Sequence, residues 1–257
     1  MVFRDTPWPE GTPCWVDVMV ADPKRAADFY SALLGWRLED QGEEYGNYAI
    51  ATLHGRSVAA VGPKPPGMDM PSVWTTYLAV NDVDKTAAKV TEAGGQLAVP
   101  PGDVGGSGRM AIAVDPTGAA FGLWQSKQNP GIEIANVPGA LAWNECMTHD
   151  FEGAKAFYAA VFGYRLDDIS GDGFSYVTLN VGDNTVGGLG AWPADVPAEV
   201  PAQWVTYFGV ADTDAALAKV TDLGGTVTRP AADSPYGRMA PVADNQGVSF
   251  TAISVSE

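Results

Sequence analysis

Histidine and cysteine are scarce in this 257-residue chain, which has two of each. His54 and His149 offer little imidazole for metal binding, and no Ser-His-Asp or Cys-His arrangement can be assembled around them. Cys14 and Cys146 are too few to staple a chain of this length and read better as free thiols than as a disulfide. Basic residues are also few, with fifteen Lys and Arg against thirty-one Asp and Glu and a net charge of −16. So negative a surface repels phosphate backbones and anionic lipid, which excludes nucleic acid and membrane as partners. No run approaches the roughly 20 apolar residues of a membrane span. The opening MVFRDTPWPEGTP has no apolar stretch to act as a signal peptide. A cytoplasmic protein is expected. Apolar residues are plentiful at 46%, enough for a core of normal size.

The chain repeats itself. WVDVMVADPKRAADFYSALLGWRL (15–38) returns as WNECMTHDFEGAKAFYAAVFGYRL (143–166), an offset of 128. WTTYLAVNDVDKTAAKVTEAGG (74–95) returns as WVTYFGVADTDAALAKVTDLGG (204–225), and Gly108-Arg109-Met110 returns as Gly237-Arg238-Met239. Within each half the order strand, acidic turn, helix, glycine recurs a second time. Val16, Val18 and Val20 alternate with Trp15, Asp17 and Met19 as in a half-buried strand. Asp22-Pro23 is a helix start, Ala26, Phe29, Tyr30, Leu33 and Leu34 keep helical spacing, and Gly35 is a stop. Strands follow near 36–40, 47–53 and 57–62. The next quarter predicts a strand at 73–80, a helix at 83–92 and strands at 96–99, 109–114 and 119–125. The spacing therefore predicts four βαβββ modules and an α+β fold. Residues 1–11 are expected as an arm, 12–126 as one domain, 127–139 as a linker and 140–257 as a second domain.

These features resemble the vicinal oxygen chelate superfamily of glyoxalases, extradiol dioxygenases and bleomycin-resistance proteins. FYSALLGW (29–36), FYAAVFGY (157–164) and the turn DPTG (115–118) carry the resemblance, which spans nearly the whole chain. GTPCWVDV (11–18) and WTTYLAV (74–80) are similar to the duplicated glyoxalase-like proteins of actinobacteria, the mycobacterial antigen type commonly labelled hydroxylases. The resemblance implies paired half-barrels with a cleft in each. It also implies divalent-metal ligands (His, Glu or Gln) on concave strands. The matching positions hold Trp15, Thr75 and Gly122 in the first half and Trp143, Val205 and Thr251 in the second. Strands 57–62 and 185–190 contain no His, Glu, Asp or Cys. The expected site is therefore metal-free, with no cofactor.

Alternation places Trp15, Asp17, Met19, Thr75, Tyr77, Gly122 and Trp124 on one concave face, and Trp143, Glu145, Met147, Tyr207, Ser249 and Thr251 on the other. Arg109 and Arg238 begin strands close to the same openings. Trp15, Tyr77, Arg109, Trp124, Trp143, Tyr207 and Arg238 are the expected ligand-binding residues. Plain core packing would place aromatic residues at the same positions. Asp17 and Glu145 are the candidate catalytic residues. Burial against tryptophan would raise their pKa and suit them to acid or base work, whereas an ion pair with Arg109 or Arg238 would keep them quiet.

GDVGGSG (102–108) lacks the Lys-Ser/Thr of a phosphate cradle and is expected as a mobile loop. It, AADSPYG (231–237) and the proline-rich stretches 63–72 and 192–202 could overhang the clefts. The expected function is sequestration of a small hydrophobic or aromatic molecule by a monomer or homodimer. The alternative is a lyase, isomerase or hydroxylase-type enzyme, metal-dependent or using Asp17 and Glu145. A surface-interaction protein with retired chemistry is a third possibility. The clefts are expected to be unequal, because Trp124 has Ile253 as its counterpart.

Overall fold

The computed structural model describes residues 2–65, 67 and 71–256. The first half contributes β1 (Pro13–Val20), α1 (Pro23–Leu34), β2 (Arg37–Asp40), β3 (Ala49–Leu53), β4 (Arg56–Pro63), β5 (Trp74–Ala79), α2 (Val83–Glu92), β6 (Gln96–Val104), β7 (Gly108–Val114) and β8 (Ala120–Ser126). The second contributes β9 (Leu141–Thr148), α3 (Phe151–Phe162), β10 (Arg165–Asp168), β11 (Tyr176–Val181), β12 (Asn184–Ala191), β13 (Gln203–Val210), α4 (Thr213–Asp222), β14 (Thr226–Val227), β15 (Gly237–Ala243) and β16 (Ser249–Ser254).

The strand order is β2-β3-β4-β1-β5-β8-β7-β6 in one sheet and β10-β11-β12-β9-β13-β16-β15-β14 in the other. The two orders are the same path with every number raised by eight. Modules pair inside each half, through antiparallel β1–β5 and β9–β13. The arm strand Val2–Phe3 pairs with Ile134–Ala135, which in turn meets Leu141, so the arm is tied to the second sheet.

The helices form where the sequence marks their ends. The Asp22 side chain accepts the Arg25 N–H, Pro23 occupies the first turn without a missing donor, and Gly35 closes α1 in the left-handed region at φ 75°. Asp82, Asp150 and Asp212 cap the other three helices in the same way.

One expectation fails in the 96–108 stretch. β6 runs to Val104 rather than ending at residue 99, and Gly102, Asp103 and Val104 pair with Met110, Arg109 and Gly108. The segment expected as a mobile loop is therefore mostly a hairpin. Pro100 and Pro101 do not stop it, because β6 is an edge strand and the register shifts between Val99 and Gly102 absorb them.

The sheets divide the work by half, but the apolar core crosses between halves. Phe29 and Tyr30 of α1 pack on Phe250 of β16, and Phe157 and Tyr158 of α3 pack on Phe121 of β8. Each fully buried aromatic of this kind contributes roughly 1.5–3 kcal/mol.

A polar clasp accompanies each cluster. Tyr158 donates its hydroxyl proton to Asp115 (3.0 Å) and accepts the Trp204 indole N–H (2.8 Å). Tyr30 does the same with Asp244 (3.0 Å) and Trp74 (3.2 Å). The tyrosine of each FY pair thus fastens to the turn aspartate of the opposite half. The Gly-Gly pairs serve the same seam: a Cβ on Gly95 would lie 2.9 Å from the Val114 carbonyl oxygen and 3.0 Å from the Phe157 ring. Gly225 has the same relation to Ala243 (2.6 Å) and Phe29 (3.1 Å).

Candidate functional site

Alternation along β1 sends Val16, Val18 and Val20 into the helix-side core and leaves Trp15, Asp17 and Met19 on the concave face. Register sets their neighbours: Trp15 lies opposite Tyr77, Asp17 opposite Thr75, and Tyr77 opposite Gly122. Gly122 is required there. A Cβ would fall 2.0 Å from the Tyr77 ring, so only glycine lets that ring lie across the sheet.

The result is a hydrogen-bonded chain. Asp17 Oδ2 accepts the hydroxyl protons of Tyr48 (2.9 Å) and Tyr77 (3.0 Å), and the Tyr48 oxygen accepts the Trp15 indole N–H (2.9 Å). The second half repeats it around Glu145. Tyr176 donates to Oε2 (2.6 Å), Tyr207 donates to Oε1 (2.6 Å), and Trp143 donates to the Tyr176 oxygen (3.0 Å). Each phenol spends its single proton on the carboxyl, so these contacts assign the acceptor role to Asp17 and Glu145.

Among the described residues no cation pairs with either acid. Arg109 instead pairs with Asp84 (2.9 Å) and Asp103 (3.3 Å), and Arg238 with Asp214 (2.9 Å) and Asp233 (3.2 Å). The ion-pair reading of the acids is therefore replaced by a tyrosine cradle. Phenols lack the full charge that would offset burial. Burial pushes the Asp17 carboxyl up to about 6, and the bonds from Tyr48, Tyr77 and Thr75 oppose this only in part. Burial raises Glu145 as well, against its bonds from Tyr176, Tyr207 and Trp143. Tyr176 is raised by burial and by the charge and hydrogen bond of Glu145.

Tyr48 and Tyr176 were absent from the sequence-derived site. Their signal was present, since they stand 128 residues apart, the same offset as Trp15 and Trp143. Each precedes or opens a strand distant in sequence from its acid, and only the sheet order brings the two together.

The two faces differ in closure. In the first, Trp15, Asp17, Tyr77 and Trp124 are all buried. The Trp124 indole donates to the Asn129 carbonyl (3.1 Å). In the second, Trp143, Glu145 and Tyr207 are half-buried, while Tyr48 and Tyr176 are half-buried alike in the two halves. Two grooves of about 310 and 320 Å³ lie one between α1 and α4 and one beside the arm; Trp143 lines the second, and neither is lined by Asp17 or Glu145. In the 63–72 stretch, Pro66, Met68, Asp69 and Met70 lie outside the described residues, so its overhang is not placed.

The residues do not fit the divalent metal that the resemblance implies. Each concave face offers one carboxyl already occupied by two phenols, and among the described residues no three His, Cys, Asp or Glu side chains cluster. His54 and His149 are exposed, and Cys14 and Cys146 are free and buried. No helix among the described residues is long and apolar enough to cross a membrane.

Two sheets of identical strand order, each curled over an acid, define a tandem glyoxalase-like protein. Residues 14–123 and 141–251 each match the Glyoxalase/Bleomycin resistance protein/Dioxygenase superfamily, and the chain belongs to that superfamily. It is 43% identical over 250 residues to "Putative glyoxylase CFP32" of Mycobacterium bovis, spanning 95% of both chains. It is 35% identical over 263 residues to the anthracycline biosynthesis protein DnrV of Streptomyces peucetius, spanning 96% of this chain and 94% of the relative. Among solved structures, 2,2',3-trihydroxybiphenyl 1,2-dioxygenase of Sphingomonas wittichii aligns with a TM-score of 0.65 at 16% identity, over 96% of this chain and 91% of that one. The Mn(II)-bound glyoxalase of Novosphingobium aromaticivorans aligns with a TM-score of 0.65 at 17% identity, over 96% and 83%. At those identities the likeness is one of fold.

Proposed function

We propose that this protein binds a small hydrophobic or aromatic molecule against its concave faces, without a divalent metal. The observation that carries the reading is the tryptophan–tyrosine–acid–tyrosine chain, repeated in both halves. It combines aromatic walls with a carboxyl whose remaining lone pairs can accept a hydrogen bond from a guest. Trp15, Tyr77 and Trp124 wall one face, and Trp143 and Tyr207 the other; Arg109 and Arg238, expected among the binding residues, alternate to the helix side instead, where they pair with Asp84 of α2 and Asp214 of α4. A relative named for anthracycline biosynthesis supports a fused-ring aromatic guest. The protein would work in the cytoplasm as a monomer or homodimer.

A hydroxylated anthraquinone, titrated while tryptophan fluorescence and heat are recorded, tests this reading. Saturable quenching at micromolar concentrations is expected, and no heat and no quenching would refute it. A second reading, metal-free acid–base catalysis by Asp17 or Glu145, is favoured by the Asp17 carboxyl standing near pH 6. Chemical change of the bound anthraquinone, abolished in Glu145→Gln or Asp17→Asn while binding persists, would establish it.

A further inference from the structure

The geometry points to the second half as the single working cleft, in which Phe174 and Tyr236 grip a flat, hydroxyl-bearing aromatic ring over Glu145. This rests on the binding reading above and assigns it to one half and two rim residues.

The two halves are duplicates, so residues at matched offsets can be compared directly. Phe174 stands two residues before Tyr176, where the first half has Gly46 two before Tyr48. Tyr236 precedes Gly237, where the first half has Ser107 before Gly108. At these two matched positions the second half carries an aromatic ring and the first does not. Inside, the bulky Trp124 of the first half is matched by the smaller Ile253. Trp124 packs so closely that a Cβ on Gly108 would stand 2.7 Å from its ring. The mouth of the first half is bridged as well: a Cβ on Gly105, at the hairpin tip, would stand 2.9 Å from the Tyr45 hydroxyl. Asp17 is accordingly 4% exposed, and its cradle works as core.

The second mouth is built in the opposite way. Phe174 is 53% exposed and Tyr236 is 74% exposed, so both rings are accessible to a guest. Neither sits on a loose tip. The backbones of Gly171 and Phe174 exchange hydrogen bonds at 3.1 and 3.2 Å, while Ser234 Oγ accepts the Tyr236 N–H (3.2 Å) and donates to the Gly237 carbonyl (2.7 Å). Phe174 and Tyr176 lie two residues apart in extended chain and so share a face, and Tyr236 precedes Gly237, where a Cβ would stand 3.3 Å from Ile253, two residues along β16 from the Thr251 that lies opposite Tyr207. The two rings are thus held in braced turns beside the entrance to Glu145.

Rings presented in this way bind a flat aromatic guest with little ordering cost. Below them each Glu145 oxygen takes one tyrosine proton, at 2.6 Å, and keeps a second lone pair. A hydroxyl on the edge of the guest fits that acceptor.

The test uses the full chain and a dihydroxyanthraquinone. In the wild type, binding quenches tryptophan fluorescence. Trp143→Phe should abolish most of the quenching, whereas Trp15→Phe should leave it intact. The double variant Phe174→Ala/Tyr236→Ala, both at exposed positions that the fold does not need, should bind roughly ten- to a hundred-fold more weakly, the effect of losing two stacking partners. Anthraquinone without hydroxyls should also bind more weakly than the dihydroxy compound. Wild-type binding whose quenching follows Trp15, or which survives intact in the double variant, would overturn this assignment and leave the general binding reading standing. A wild type that binds neither compound would overturn both.

Discussion

Asp17 holds its proton to about pH 6 because the fold surrounds it with phenols and tryptophan instead of a guanidinium. In the unfolded chain the same carboxyl ionises near pH 3.8. Between these values the folded state keeps a proton that the unfolded state has lost, so stability falls as pH rises through that window. The full effect is about 3 kcal/mol. Asp17→Asn keeps an acceptor for the two phenols and removes the titration. Relative to wild type it should gain about 2–3 kcal/mol on going from pH 4 to pH 7, read as the difference between urea unfolding curves at each pH. Parallel pH dependences in the two proteins would show that Asp17 titrates in the folded protein as it does in the unfolded chain. At this scale the acids and their tryptophan neighbours were legible from alternation along one strand. Their true partners were not. Tyr77 shares the expected face with Asp17, but Tyr48 lies just before β3, and nothing short of the sheet order distinguishes it from Arg109 as a group that meets Asp17.

The helix–turn landmarks that carried the family resemblance act as fasteners between elements. The hydroxyl of Tyr158 on α3 joins Asp115, in the turn before β8, to Trp204 on β13. Asp115 spends its other oxygen on the backbone N–H groups of Thr117 (2.8 Å) and Ala119 (3.0 Å), which shape the turn. Tyr158→Phe leaves Asp115 Oδ2 without that donor and the Trp204 indole N–H without its acceptor, in the core and without added volume. A loss of about 2–3 kcal/mol is expected, the range for a buried hydrogen bond to a charged group with its partner left unpaired. The exposed Tyr236→Phe should cost nothing measurable, and equal unfolding midpoints for the two variants would refute the clasp. Element types and most boundaries followed from capping residues and periodicity. Pro100-Pro101 and the glycine cluster after it ordinarily end a strand, and only the edge position of β6 explains why this one continues to Val104.

Over the whole molecule, the sheets close within each half while the apolar faces close between halves. Whether modules pair inside or across halves could not be read from the repeat, because both arrangements bury the same alternating residues. The structure uses both: β1–β5 and β9–β13 pair internally, and α1 meets α4 while α2 meets α3. A half by itself therefore has complete hydrogen bonding in its sheet but an uncovered apolar face. Residues 1–126 alone would expose Phe29, Tyr30 and Phe121, which now rest on Phe250, Phe157 and Tyr158. Because the halves share one topology, a second copy of 1–126 can offer its α2 to α1 and its α1 to α2 across a two-fold axis. The isolated half should sediment as a dimer or larger species. Mixing it with residues 127–257 should recover a one-to-one complex with the near-ultraviolet dichroism of the intact chain. A half that remained a folded monomer would show that the inter-half core contributes little to stability. The duplication would then be a linkage of two independent domains, and the Tyr158 clasp and the Gly95 approach would have to be explained by something other than the seam they occupy.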